Sequence, residues 1–404
     1  MPVGGTRVRL PLPLVVLVVG TLVSVLGDSV ASFALILDAR ALGPPWWVTI
    51  VFFAELVPPL FLAPALGVLV DRFDVRTVWI SAVLIQAVCF AAAATVPDFF
   101  TRVALIAVAN AFAVASSAAA FRLTPELAGP VPTQRANSLV AGAVSFAFIL
   151  GPGLAAAVYD VLGSTVLLAA NAASFLVVAV LVRAVVRVAP RGDLEVGARF
   201  WEQAGDGLRV LRGSPLVWVV MGLAAGILFT TSIEGVAGVQ YLPEVTGSTF
   251  LFGLLVSIWA LGALAGSLLS GHRWLEGREI DLVVWGGAMI GTALLVEGLI
   301  PNTWVIAAVF VLGGVGNGLH NVGIRTTIHR HIPQNVHGRA WSYYSVMVNA
   351  CVVLGYLLGT PWGVLSAQAL IVLSGALTLI VSTYAIWRIR TLTKRAASAA
   401  PLDR

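Results

Sequence analysis

Charge is what this chain has least of. Only 11% of its 404 residues are Asp, Glu, Lys or Arg, against roughly a quarter in an average soluble domain. With 59% hydrophobic residues beside that shortage, a water-soluble globular fold is excluded. Cysteine is nearly missing too. Cys89 and Cys351 lie far apart, each inside an apolar segment, so a disulfide framework or a thiolate metal site is not expected. The net charge of +5 is spread over short connecting segments, which is no footprint for nucleic acid. The chain also lacks H-E-x-x-H, G-x-S-x-G, a protease-like pair of intramembrane acids and G-x-x-x-x-G-K-[ST]. Neither an intramembrane enzyme nor an ATP-driven machine is therefore expected, and no cofactor is called for. The Gly-rich "GGVGNG" at 313–318 sits in an apolar run, where it means close helix packing.

What is present is one apolar run after another. A helix of about 20 such residues spans the hydrocarbon core. Breaks at Pro, Gly and charge divide the chain into 11–37, 46–70, 77–96, 101–122, 138–160, 165–186, 215–241, 250–270, 281–299, 304–325, 340–359 and 365–387. The expected fold is all-α, with twelve transmembrane helices. The first run follows Arg7 and Arg9 as a signal peptide would, but it is too long for one and further spans follow. The arginines orient the chain. With both termini in the cytoplasm, 22 of the 24 Lys and Arg fall inside, leaving only Arg40 and Arg102 outside. A multi-pass protein of the inner (plasma) membrane is expected.

The chain also repeats itself. "RANSL" at Arg135 and "RAWSY" at Arg339 are offset by 204 residues, as are Gly151 and Gly355, and Gly67 and Gly271. Three matches at one offset point to two pseudo-symmetric six-helix bundles, 1–190 and 214–404. Parallel repeats of that kind place a binding site between halves in transporters. The intervening 191–213 segment, with Phe200, Trp201, Ala204, Leu208 and Leu211 on one helical face, reads as an amphipathic surface helix. A solvated linker is the alternative.

Four charges in six positions follow the second span in "GVLVDRFDVR", residues 67–76. Here the chain resembles the major facilitator superfamily, whose loop pattern is G-x-x-x-D-R-x-G-R-[KR]. Gly67, Asp71, Arg72 and Arg76 are in register, while Asp74 replaces the second Gly and Val75 the first paired basic residue. The resemblance implies an inner-gate loop that locks the two halves while the transporter faces outward. A charge cluster that only sets topology is the other reading. "GPGLAA" from Gly151 and Pro152 resembles the G-P-x-x-G-G of exporters in that superfamily. Together with "RLTPEL" and "RANSL", it resembles the drug, macrolide and siderophore exporter branch.

Ionisable residues inside spans are costly and are functional candidates by default. They are Asp28, Glu55, Glu234 and Glu297. Thr21, Ser24, Asp28 and Ser32 form one polar stripe on the first span. Glu234 occupies about the same depth on the seventh, with Thr230, Thr231 and Tyr241 on its face. Asn317, His320, Asn321 and Arg325 follow on the tenth, and Asn110 and Ser117 on the fourth. The resemblance implies that these four spans line the cavity. His320 is either a proton carrier or a hydrogen-bonded spacer. Glu55 is either buried or lining, and Glu297 is expected near water at an outer end.

The expected function is secondary active transport: a proton-coupled exporter, monomeric in the bilayer, exchanging protons for a small amphiphilic molecule such as a drug or siderophore. An importer on the same fold and a non-transporting receptor remain alternatives. The orientation is directly testable. Cysteines introduced at Val75 and Gln334 should react with a membrane-impermeant thiol reagent from the cytoplasmic side alone; reaction in intact cells would invert the topology.

Overall fold

The computed structural model describes residues 10–186, 214–332 and 337–399, and among them all regular structure is helical. Helices α1 (Leu12–Ala41), α2 (Trp46–Arg72), α3 (Val75–Thr95) and α4 (Phe99–Ala128) open the chain. A continuous stretch, Thr133–Val185, is broken at Gly163, whose φ of 70° no helix tolerates. It is therefore two helices, α5 (133–162) and α6 (164–185). Then come α7 (Pro215–Thr246), α8 (Thr249–Ser270), α9 (Glu279–Leu299), α10 (Thr303–His331), α11 (His337–Gly359) and α12 (Ala367–Ala399). Among the described residues, nine helices are long and apolar enough to cross a membrane, the stretch broken at Gly163 counted once. The amphipathic segment expected at 191–213 lies outside the described residues.

Side chains fix where several helices begin. Asp74 accepts from the Thr77 amide at 2.9 Å and its hydroxyl at 2.6 Å. Asp98 does the same for Thr101, at 2.8 and 2.6 Å. Both satisfy amides that the first helical turn leaves without partners. Asn302 starts α10 in this way, accepting from Trp304 and Val305. Several helices outrun the apolar segments that mark them, α10 reaching His331, because charge ends a hydrocarbon span but does not end a helix.

The chain forms two compact units, Met1–Leu42 with Ile50–Gly197 and Gly43–Thr49 with Ala198–Arg404. In the first, α1 packs on α5 and α6, and α3 on α4 and α6; in the second, α7 packs on α11 and α12, and α9 on α10 and α12. Small residues set these distances. A Cβ on Gly151 of α5 would meet Ser29 Cβ of α1 at 2.5 Å. A Cβ on Gly355 of α11 would meet Ser232 Cβ of α7 at 2.6 Å. Gly151 and Gly355, offset by 204, thus do the same job in each unit: they let its fifth helix touch its first. Pro152 is buried beside Gly151 within α5.

Of the two arginines that stood outside the charge bias, Arg102 is an internal ligand. Its Nη1 meets Asp38 at 3.2 Å, its Nε donates to the Val96 carbonyl at 2.6 Å, and Tyr159 donates to Asp38 at 2.7 Å. This ties the ends of α1, α4 and α5 together, with enough hydrogen bonds to offset the partial burial of the pair. In the second unit Arg330 and Glu279, 3.1 Å apart, join the end of α10 to the start of α9.

Two checks follow from this packing. Val75 is buried at the start of α3, so the cytoplasmic thiol reporter belongs at the neighbouring Phe73, which is 60% exposed. Gly151→Leu should destabilise the N-terminal unit by about 1–3 kcal/mol through overpacking, seen as a lower melting temperature in detergent. An unchanged melting curve would mean that α1 and α5 do not meet there.

Candidate functional site

In the N-terminal unit, α1, α3, α4, α5 and α6 line an open cavity of about 660 Å³, within the range of small-molecule sites. Its walls are mostly apolar. Thr21, Ser24 and Asp28 of α1 face it, as do Gln86 of α3 and Ser116 and Ser117 of α4. Asp28 is the last α1 residue along it. Its carboxylate accepts from Asn171 Nδ2 at 2.9 Å. Asn171 is held in that orientation by Ser174, whose hydroxyl donates to Asn171 Oδ1 at 3.0 Å. It lies so close to α1 that a Cβ on Gly27 would meet Asn171 Oδ1 at 2.2 Å. A positioned carboxylate at the end of an apolar cavity can hold a proton or attract a cation.

The stripe expected on α1 therefore divides. Thr21, Ser24 and Asp28 line the cavity, but Ser32, one turn further on, donates to Glu55 of α2. Glu55 is half-buried there. Asn110 shares a face of α4 with Ser117 but stands two turns away, half-buried and clear of the lining. Gln86, which donates to Ser116 at 3.2 Å, and Asn171 were not singled out in the sequence. A lone polar residue within an apolar run was the available signal, and asparagine in that setting reads first as helix glue.

In the C-terminal unit Glu234 is half-buried on α7, its Oε1 lying against Gly238 one turn on. Thr230, expected beside it, is buried and shares a 2.6 Å hydrogen bond with Thr378 of α12. The stripe on α10 also separates. Asn321 donates to Asn317 at 2.8 Å on one face. His320 turns into α9, where Nδ1 lies 3.0 Å from the Val283 carbonyl. A carbonyl only accepts, so Nδ1 carries the proton. His320 is 2% exposed and sits where Gly286 leaves room, which favours the spacer role. Glu297, expected near water, is instead 0% exposed. Its helix ends close by, but α7 and α12 cover it.

The charged motif is only partly a loop. Gly67, Asp71 and Arg72 belong to the last turns of α2, and Phe73 and Asp74 alone link it to α3. Nothing in "GVLVDR" breaks a helix, so α2 runs past the expected span end at 70 and takes in Asp71 and Arg72, which were expected in the loop. Of Gly67, Asp71 and Arg72 only the helical backbone is described. Arg76 donates to the Arg183 carbonyl at the end of α6, tying α3 to α6 within its own unit. The two departures from the family pattern now have structural reasons. Val75 fills core, where a basic side chain could not go, and Asp74 caps α3.

The profile of the Major Facilitator Superfamily matches residues 17–273, well over half of the chain. This protein belongs to the Major Facilitator Superfamily. It is a multi-pass membrane transporter rather than an enzyme. Macrolide efflux protein A of Streptococcus pyogenes is 22% identical over 314 residues, covering 75% of this chain and 77% of the relative. The arabinose-proton symporter of Escherichia coli is 32% identical over 168 residues, covering 38% and 33%. In fold the superfamily member resembles the crystal structure of a bacterial homologue of the iron transporter ferroportin in its inward-facing state. That match has a TM-score of 0.74 at 18% identity, over 93% of this chain and 98% of that one.

The cap at Asp74 gives a pH-dependent test in this transporter. The Thr77 hydroxyl bond holds the Asp74 carboxyl below the usual aspartate value of 3.8. A carboxyl depressed on folding stabilises above its unfolded value, and that gain is lost as pH falls through the folded one. Asp74→Ala should therefore cost about 1 kcal/mol near neutrality and less once the acid is protonated, when only a neutral cap is lost. Melting curves of both proteins from neutral to acid pH should converge. A constant difference would assign the loss to something other than the charged cap.

Proposed function

We propose that this transporter is a proton-coupled exporter: an antiporter that moves a small amphiphilic molecule, cationic or neutral, out of the cell by alternating access. The observation that carries this reading is Asp28, one carboxylate held by Asn171 at the end of a mostly apolar 660 Å³ cavity. Apolar walls suit an amphiphile, and a lone acid suits either a proton or a positive charge, each displacing the other. Similarity to macrolide efflux protein A over three quarters of the chain supports the outward direction. So does the Gly151–Pro152 pair on the α1–α5 contact.

The rest of the proposal follows from the arginine distribution and the repeat. Twelve crossings, both termini in the cytoplasm, and a plasma-membrane location place the α2–α3 connection inside. Asp71 and Arg72, with Gly67 permitting close approach, then serve as an inner gate that opens and closes with each cycle. Residues 1–190 and 214–404 act as the two moving bundles, joined by 191–213, in a monomeric transporter. Glu234 works with Asp28 as the second proton-carrying acid, while Asn317 and Asn321 supply polar contacts to the substrate. A second reading, proton-driven import, has one specific support: the 32% identity to the arabinose-proton symporter.

Gradient-driven transport in everted vesicles tests both. Wild type should accumulate a cationic or macrolide-like compound when the lumen is acidified. Asp28→Asn should abolish accumulation while leaving downhill equilibration, because a permanently neutral site cannot exchange with protons. Full accumulation by Asp28→Asn would remove Asp28 from coupling. Proton-driven movement out of the vesicles would favour the importer.

A further inference from the structure

Glu297 has an unusual position. It lies two residues before the end of α9 at Leu299, is fully buried, and neither carboxylate oxygen has a hydrogen-bond partner among the described residues. Burying an ionised carboxylate without a partner costs far more than burying the neutral acid. A membrane helix has no packing reason to keep Glu where Leu or Met would fit. The main chain around it is pinned on both sides. Tyr241 of α7 donates to the Glu297 carbonyl at 3.0 Å, and Gln368 of α12 donates to the Gly298 carbonyl at 2.8 Å. Gly298 brings α12 so near that a Cβ there would meet Val372 Cγ2 at 2.6 Å.

Two further observations point the same way. Glu234 stands seven residues before Tyr241, hence on the same face of α7, and its Oε1 is turned along the helix toward Tyr241, lying against Gly238, so that Tyr241 stands between the two acids. On the other side of the seal is a pocket of about 420 Å³, bounded by Tyr241, Glu244, Pro301, Ser366 and Gln368. The two side chains that pin Glu297 and Gly298 are thus also walls of that pocket. The titratable groups facing Glu297 are Glu234 and Tyr241, both from α7. Helices α10 and α12 bring no titratable side chain before His320 and Tyr384, towards their far ends.

We propose that Glu297 and Glu234 form a two-carboxyl proton site within the C-terminal unit, filled from the pocket walled by Tyr241 and Gln368. A proton from solvent in the pocket forms one O–H bond on a carboxylate of the pair, and that bond breaks again when the proton is released. Two neighbouring carboxylates in low dielectric tolerate one negative charge far better than two, so loading the first acid and discharging the second are linked. On the orientation proposed above the pocket faces outside, where an exporter takes up its protons. The use of the site in coupling rests on that reading, whereas its existence does not.

The test therefore has two arms. In the first, purified full-length protein is titrated with acid and base while its infrared carbonyl-stretch region is recorded. A band from a buried neutral carboxyl should be present in wild type, absent in Glu297→Gln, and moved along the pH axis in Glu234→Gln. Should Glu297→Gln aggregate on size exclusion, Glu297→Asp takes its place and should shift the band in frequency. A spectrum and titration unchanged by substitution at both acids would overturn the proposal. A bulky thiol reagent on Gln368→Cys should slow hydrogen–deuterium exchange of the band, and unaltered exchange would remove the pocket from the route. The second arm is gradient-driven accumulation in everted vesicles. Coupling between sites is commonly worth about tenfold or more in affinity, and Glu297→Gln should lose accumulation to that extent while keeping downhill equilibration. Undiminished accumulation would sink the coupling role. If wild type shows no proton-driven transport but the band behaves as stated, the exporter reading fails and the acid pair stands.

Discussion

A main-chain amide in hydrocarbon has no water to bond. Each N–H and C=O that enters the bilayer must find its partner within the protein, and a helix supplies one for all but its ends. The whole described fold is organised around that constraint. Long helices carry the chain across, and their ends are finished by local groups such as Asp74, Asp98 and Asn302. A sharp break inside a long apolar stretch falls at Gly163, where only glycine adopts the required φ at no cost.

Once the backbone is satisfied, helices in lipid gain little from hiding apolar surface and must instead fit closely. Glycine provides the fit at equivalent places in both units: Gly151 against α1 and Gly355 against α7. Close contact then decides which polar side chains meet. Asn171 reaches Asp28 because Gly27 lets α6 approach α1, and Glu297 is sealed because Gly298 lets α12 approach α9. The residues without side chains position the residues with chemistry.

The acids acquire different characters from this packing. Asp28 faces a cavity and has an amide partner; Glu55 takes the hydroxyl of Ser32; Glu297 is fully buried and has no hydrogen-bond partner for its carboxylate among the described residues. At helix ends, two ion pairs join neighbouring helices, Arg102 with Asp38 and Arg330 with Glu279. Charge in the interior is available for change, while charge at the rims holds helices together.

Much of this was legible in the amino-acid order. Apolar length marked the spans, because hydrocarbon thickness sets a fixed number of helical residues. The charged motif and the 204-residue repeat pointed to the superfamily, and helical spacing put Thr21, Ser24 and Asp28 on one face. What spacing does not contain is the neighbour. It placed Ser32 with Asp28 and His320 with Asn317, since both lie near the same face of one helix. It left Glu297 by water because an end of a span is usually wet. Helix α2 closing on Ser32, α9 on His320, and α7 with α12 over Glu297 decided otherwise. A sequence determines which side chains share a helix face, but partners on that face come from other helices, and only their packing selects which side chains meet water, a cavity or each other.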